Sequence, residues 1–222
     1  MKKPTLIYFK ARGRAEVIRL VLAEAGVDYD EHPIGKDLGS FNGQPTDFAE
    51  LKASGLLPYQ AAPVWVDADG FRLAQSAAIA KYVAASHGLA PKNAKDDALA
   101  EQMIGCLDDV RGELRKLAFV EADKRPALVA ELTNTFLPRW MGFLDRTLAS
   151  NRDGQGFVVG DSITVADLGL YYLLEMLRDN GFGAAVDAHP RLVAFAQRIA
   201  QRPRIAAYLA SAKRPPLMLL PR

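Results

Sequence analysis

The spacing of apolar residues changes period several times along the first third of the chain. Residues 5–9, Thr-Leu-Ile-Tyr-Phe, are rich in β-branched and aromatic types and predict a short strand. A polar turn follows at 10–13. From Arg14 the period becomes helical, with Val17, Leu20, Val21 and Ala25 on one face and Gly26 placed as a C-cap. Residues 29–34 predict a second strand closed by Gly35. A β-α-β opening favours a parallel pair with a right-handed crossover. Residues 35–59 are loop-rich, with a short helix expected over 48–53. Residues 63–67 predict a strand, Asp69-Gly70 a tight turn, and 71–74 an antiparallel return. A helix then begins at Ser76, carries Ile79, Tyr82 and Val83, and ends at Gly88. The order β-α-β, connector, β-β-α is thioredoxin-like.

Beyond Gly88 the pattern shifts. Residues 89–94, including Pro91, read as a linker, and everything after them reads helical. Helices are expected over 96–120, 126–149, 165–179, 190–201 and 203–209. The expected fold is an α/β thioredoxin-like N-terminal domain, 1–88, followed by an all-α C-terminal domain, 95–222. No internal repeat or low-complexity segment is evident.

Composition narrows the function classes. Half of the 222 residues are apolar and about a quarter are charged, as in ordinary globular proteins. Lys and Arg total 28 against 26 acidic residues, without a basic tract, so no nucleic-acid partner is expected. The single cysteine, Cys106, rules out an internal disulfide or a Cys-x-x-Cys motif; it reads as an inert buried thiol. His32, His87 and His189 are far apart, and no metal site is expected. The chain starts without an apolar signal core, and its apolar runs fall short of a membrane span, so the expected setting is a reducing cytoplasm with no membrane partner.

Four motifs carry candidate chemistry, and each also has a structural reading. Tyr8 closes the first strand, just ahead of Gly13-Arg14-Ala15-Glu16 at the start of the first helix. It could be an ordinary half-buried strand residue. At the carboxyl end of a strand, however, open α/β sheets bind ligands, and a phenol beside a helix N-terminus can donate to an anion. Ala62-Pro63 opens a strand, where proline is tolerated. In a thioredoxin-like domain a cis proline here would turn the preceding residue's backbone toward a bound peptide. Gln75-Ser76 precedes the third helix. Ser76 reads as an N-cap, and free amides there make a carboxylate site. Finally, Thr164-Val-Ala-Asp167 reads as a capping box stapled by Ile163 and Leu168, a folding motif.

In order and spacing, these segments resemble the cytosolic glutathione transferases, most closely the tyrosine-type Sigma, Pi, Mu and Alpha group. The carrying residues are Tyr8-Phe9 with 13–19, Ala62-Pro63-Val64, 73–82 and the capping box. The resemblance covers essentially the whole chain. It implies a transferase that joins the thiolate of glutathione to hydrophobic electrophiles, with glutathione as co-substrate and no cofactor. Tyr8 would be the catalytic hydroxyl and Arg14 its support. Ala62 and Pro63 would present backbone to the glutathione cysteine, Gln75 and Ser76 would hold the γ-glutamyl end, and Lys52 would meet the glycine carboxylate. Glu101 would reach glutathione in the partner subunit of a homodimer, for which Tyr59 resembles an aromatic key. Phe9, Met103, Leu107 and residues 217–220 would wall the electrophile pocket.

Three departures from the family pattern are plain, one of them a slightly long connector from Lys52 to Pro63. Phe48 stands where relatives usually carry a tryptophan ahead of the glycine-site lysine. Gln60-Ala61-Ala62-Pro63 replaces the common Gly-Gln-Leu-Pro. All three bear on the glycine end and leave the sulfur site intact. Two other functions fit the same resemblance: a glutathione-dependent isomerase of the Sigma-like prostaglandin synthase kind, and a non-catalytic ligand-binding relative.

Overall fold

The computed structural model describes residues 2–36, 38–217 and 220. The chain divides into two compact units. One is Met1–Gly88 with Ala207–Met218; the other is Leu89–Ala206 with Leu219–Arg222.

The first unit is a thioredoxin-like domain with a mixed sheet. Its elements are β1 (Thr5–Phe9), a 3-10 turn (Gly13–Ala15), α1 (Glu16–Ala25), β2 (Asp30–Ile34), β3 (Ser40–Phe41), β4 (Gln44–Pro45), α2 (Phe48–Ala53), β5 (Val64–Val66), β6 (Arg72–Ala74) and α3 (Ser76–Ser86). The sheet order is β2-β1-β5-β6, with β1 parallel to β2 and antiparallel to β5. Pro33 is accommodated because β2 is an edge strand. Helix α1 buries Val17, Ile18, Leu20, Val21 and Leu22 and stops at Gly26, whose φ of 71° and N–H bonds to Leu22 and Ala23 close the last turn. Ile7, Ile34, Leu51, Leu57, Val64 and Ala74 form a core cluster beside α2.

Within the stretch read as loop, β3 and β4 form a small hairpin. Its turn is Asn42-Gly43, both at positive φ (50° and 75°). Asn-Gly is the strongest short hairpin signal, and it was there to be read.

In the second unit, α4 (Ala94–Arg115) is capped by the Asn93 side chain, which accepts from the Lys95 and Asp96 amides. Then come α5 (Arg125–Glu131), a π turn (Leu132–Phe136), α6 (Leu137–Ala149), α7 (Val165–Asp179), α8 (Gly183–Asp187) and α9 (Pro190–Ala200). The single helix expected over 126–149 is thus interrupted by the π turn. Pro138 explains it: proline has no N–H for the carbonyl four residues back, and its ring crowds that carbonyl, so the turn ahead of it widens. Helix α7 is the unit's buried centre. The capping box is present at its start, with the Thr164 N–H donating to Asp167 Oδ2 at 2.8 Å and the Val158 N–H to Oδ1 at 2.7 Å. Ile163 and Leu168 are both buried. Burial pushes the Asp167 carboxyl up to about 6, against the pull of these donors.

One expectation needs correcting. Residues 95–222 were read as one all-α domain, yet the boundary between units falls inside α10 (Pro203–Leu209), and residues 210–217 after it group with the first unit. The reason is Glu16, a fully buried carboxylate on α1 that needs donors. Tyr208 supplies one at 3.1 Å and Arg214 another at 2.7 Å.

Candidate active site

The site is built around Tyr8, at the carboxyl end of β1 and 7 % exposed. Its hydroxyl accepts a hydrogen bond from the Arg14 backbone N–H at 3.0 Å. The phenol's own proton is therefore left to give away, and accepting from a helix-start amide strengthens it as a donor. The Arg14 side chain itself is exposed; its amide, not its guanidinium, touches the phenol. Gly13 makes that approach possible. At φ of 43°, a Cβ on it would stand 2.6 Å from the Tyr8 hydroxyl oxygen.

Beneath the phenol lies a buried charge network. The Arg19 guanidinium is 5.8 Å from the Tyr8 ring centroid. It donates to both Glu31 carboxylate oxygens, at 2.7 and 3.1 Å, and lies 3.5 Å from Glu16. Burial works against its charge, but Glu31 outweighs that and holds it above the usual range for arginine. Burial, reinforced by Glu31 and Glu16 respectively, raises the Tyr29 and Tyr208 phenols. Sequence reading noted Arg19 only as part of a motif. The Glu16/Arg19 spacing of one helical turn was the available signal.

From Tyr8 an aromatic chain leads to the expected glycine end. Phe9, 38 % exposed, meets Tyr8 edge-on at 5.5 Å and Phe48 at 5.3 Å. The Lys52 ammonium lies 4.8 Å from the Phe48 ring centroid. Phe48 and Ala62 pack on the same core cluster. Where relatives usually have an indole, this chain thus offers a ring face that holds the lysine and no N–H donor. The Ala62-Pro63 peptide is cis. It leads into Val64, which pairs with Ile7, so Ala62 stands beside the end of β1.

Ser76 was read as the N-cap of α3, but the structure makes it the first helical residue. Gln75 is the cap, at φ 73° and ψ 114° with no side-chain cap bond. Its carbonyl accepts from the Ile79 amide at 2.9 Å. A non-glycine residue in this region is strained. The conformation carries the chain from β6 sharply into α3 and leaves the exposed Gln75 side chain beside the first helical amides, a place suited to a carboxylate. Tyr8, Arg14, Phe48, Lys52, Ala62, Pro63, Gln75 and Ser76 all belong to the first unit.

The remaining candidates belong to the second unit. Glu101 is on an exposed face of α4. Met103 and Leu107 are each 2 % exposed, and Leu107 packs so closely on Gly169 of α7 that a Cβ there would stand 2.8 Å from it. Both side chains are packed inside the second unit. Of the expected tail residues, Met218 and Leu219 lie outside the described residues. The first unit instead holds a cavity of about 370 Å³ against Tyr8 and Phe9, lined also by Lys10, Glu31, Pro33 and the tail from Ala212 to Pro216. Arg12 ties that tail down, donating through N–H to Pro216 O and through Nε to Pro215 O, both at 3.2 Å. No local pattern in the sequence foretold that the tail would return here. Among the described residues, no helix is long and apolar enough to cross a membrane.

Two family models match the chain: the glutathione S-transferase N-terminal domain over residues 4–85 and the glutathione S-transferase C-terminal domain over 108–212. Among curated relatives, glutathione S-transferase 3 of Gallus gallus is 32% identical over 216 residues, covering 97% of this chain and 89% of its own length. Glutathione S-transferase P 1 of Bufo bufo is 34% identical over 211 residues, with 93% and 91% covered. The solved structure titled "Structure of NaGST-2" superposes with a TM-score of 0.79 at 28% identity, covering 96% of this chain and 98% of that one.

Proposed function

The chain belongs to the glutathione S-transferase family, and on that premise we propose that Tyr8 holds the glutathione sulfur as a thiolate for attack on an electrophile. The observation that carries this is the Tyr8 hydroxyl, which accepts from the Arg14 amide and keeps its proton to donate.

A free thiol has a pKa of about 8.5 and is mostly protonated at neutral pH. Lowering it by about two units needs roughly 2.7 kcal/mol of preference for the anion. A charge-assisted hydrogen bond supplies about 1.5–3 kcal/mol, and the amides of the helix start add positive potential. Tyr8 therefore acts as a donor and not as a base; the thiol proton leaves to solvent on binding. The sulfur lone pair then forms the carbon–sulfur bond while the electrophile's leaving group departs with its electron pair. The Ala62 backbone at the cis bond aligns the peptide, the amides at Gln75-Ser76 receive the γ-glutamyl carboxylate, and Lys52 receives the glycine carboxylate. Phe9, half open beside Tyr8, forms the floor for the electrophile. The proposed working unit is a cytoplasmic homodimer acting in detoxification. Tyr59, 71 % exposed, would be an interface contact, and Glu101 would reach glutathione in the partner subunit.

The test is an absorbance titration of the bound thiolate in wild type and Tyr8→Phe. Loss of the hydroxyl should raise the thiol's pKa by about one to two units, the equivalent of one charge-assisted bond. Identical titrations would transfer sulfur activation away from Tyr8. Light scattering at micromolar concentration tests the assembly, and a monomeric mass with full turnover would remove the interface roles of Tyr59 and Glu101.

A further inference from the structure

We propose that the cavity beside Tyr8 selects electrophiles bearing a carboxylate or a comparable anionic group, and that Lys10 and Lys213 are the residues that recognise it. The proposal rests on the assignment of Tyr8 as the sulfur-activating residue, and it names the substrate class of that site.

The argument is a balance of charge around the cavity. Four of the ionised groups in and behind its wall cancel one another. Glu31 faces the cavity, but both of its oxygens are held by Arg19, and Oε1 also accepts from the Tyr29 hydroxyl at 3.1 Å. Arg214 faces the cavity from the tail, but its Nε donates to Glu16 at 2.7 Å. Two carboxylates and two guanidiniums thus pair with one another, and none of them turns toward a ligand without breaking a pair.

Two cavity-lining charges stand outside this set. Lys10 follows Phe9 at the end of β1, is exposed, and has no ion-pair partner among the described residues. Lys213 is in the tail and also exposed. The acidic group near it is Asp28, which is bridged to Lys3 at 2.6 Å. The cavity is therefore lined by two exposed lysines that form no ion pair among the described residues, beside a largely apolar floor of Phe9, Pro33, Ala212, Pro215 and Pro216. An apolar body with an anionic end matches both features, and a neutral electrophile matches only the first. Lys10 and Lys213 line the same cavity as Phe9, so an anion held by them would leave its apolar part against Phe9, next to Tyr8.

Binding and turnover are measured separately. Binding of two unreactive probes of one shape, dinitrobenzoate and dinitrobenzamide, is measured on the full chain by calorimetry. The carboxylate should bind roughly fivefold tighter, within what two exposed ion pairs give. That preference should fade between about 20 mM and about 500 mM salt as the screening length shrinks. Lys10→Gln and Lys213→Gln should each cut it roughly two- to threefold, and Lys10→Arg and Lys213→Arg should retain it. Equal affinities in wild type, or a preference untouched by either glutamine variant, overturns the proposal. Conjugation of neutral chlorodinitrobenzene by wild type and Tyr8→Phe reports on the other reading. A protein that prefers the carboxylate yet conjugates nothing keeps the cavity assignment and loses Tyr8. One that conjugates through Tyr8 without a carboxylate preference does the reverse.

Discussion

Gly13→Ala is the substitution that probes the Tyr8 site most directly without touching Tyr8. Two costs come with it. At φ of 43° an alanine is strained by about 1–2 kcal/mol. Its Cβ would also stand 2.6 Å from the phenol oxygen, and 3.2 and 3.3 Å from two ring carbons. Tyr8 is buried and its ring is held by Phe9 and Arg19, so the hydroxyl can yield only by moving as a whole. A retreat of about half an ångström would stretch the 3.0 Å bond from Arg14 to the edge of hydrogen-bonding range. It would move the donated proton as well. Chlorodinitrobenzene conjugation at a pH of about 6.5 should then fall tenfold or more, the equivalent of about 1.4 kcal/mol of lost anion stabilisation. The decisive comparison is the cycle with Tyr8→Phe. Without the oxygen the closest approach relaxes to 3.2 Å, so the double variant should be no more than about threefold slower than Tyr8→Phe alone, a sub-additive result for coupled groups. Part of the lost thermal stability should also return. If Gly13→Ala works at the wild-type rate, or if the two losses multiply, Gly13 is not what lets the phenol approach the helix start.

Gln75→Gly should relieve the strained φ of 73° and raise stability by about 1 kcal/mol in chemical denaturation while weakening glutathione binding; weakened binding without a gain in stability would refute the strain. Glu16→Gln leaves Arg19 and Arg214 facing a neutral group inside the fold and should cost about 3–5 kcal/mol, with the tail after Leu209 cut sooner in limited proteolysis. An unchanged melting point and an unchanged cleavage rate would show that the tail is held by something else. Asp167→Asn tests the capping box by pH. The folded carboxyl is raised to about 6 from 3.8, so folding takes up a proton between those values, and the group's stabilisation is full below 3.8 and lost as pH rises through 6. The stability advantage of wild type over the variant should therefore shrink by up to about 3 kcal/mol from acid to neutral pH, and an advantage that grows with pH would refute the shift.

What could be read in the sequence was the part governed by neighbours in sequence. The strand over 5–9, the helix over 48–53, the helix over 165–179 with its capping box and the helix over 203–209 all appear with those bounds, because period, caps and turn residues act within a few positions. The family resemblance added the identities of the site residues, and the structure brings Tyr8, Phe9, Phe48, Lys52 and the Ala62-Pro63 edge to one end of the sheet. The Arg14 guanidinium was expected at the sulfur site, yet what reaches Tyr8 is the Arg14 amide, a contact made by backbone that no side-chain pattern encodes.

The harder case is the tail. Its residues 207–217 are short in apolar periodicity and were assigned to the helical domain simply because they follow it. Their destination is decided from the other end of the chain, by the Glu16 carboxylate, which α1 buries completely. Arg19 on the same helix gives Nε and one Nη to Glu31 and the other Nη to the Ala11 and Arg12 carbonyls, so Glu16 is left short of partners within the first eighty-eight residues. A buried charge left unpaired costs several kcal/mol, and Tyr208 and Arg214 meet that need from about 190 and 200 positions away. Once they do, Lys213 and the proline pair are carried to the edge of the Tyr8 cavity with no pattern of their own to send them there. The wall of the Tyr8 cavity thus follows from a folding requirement of α1.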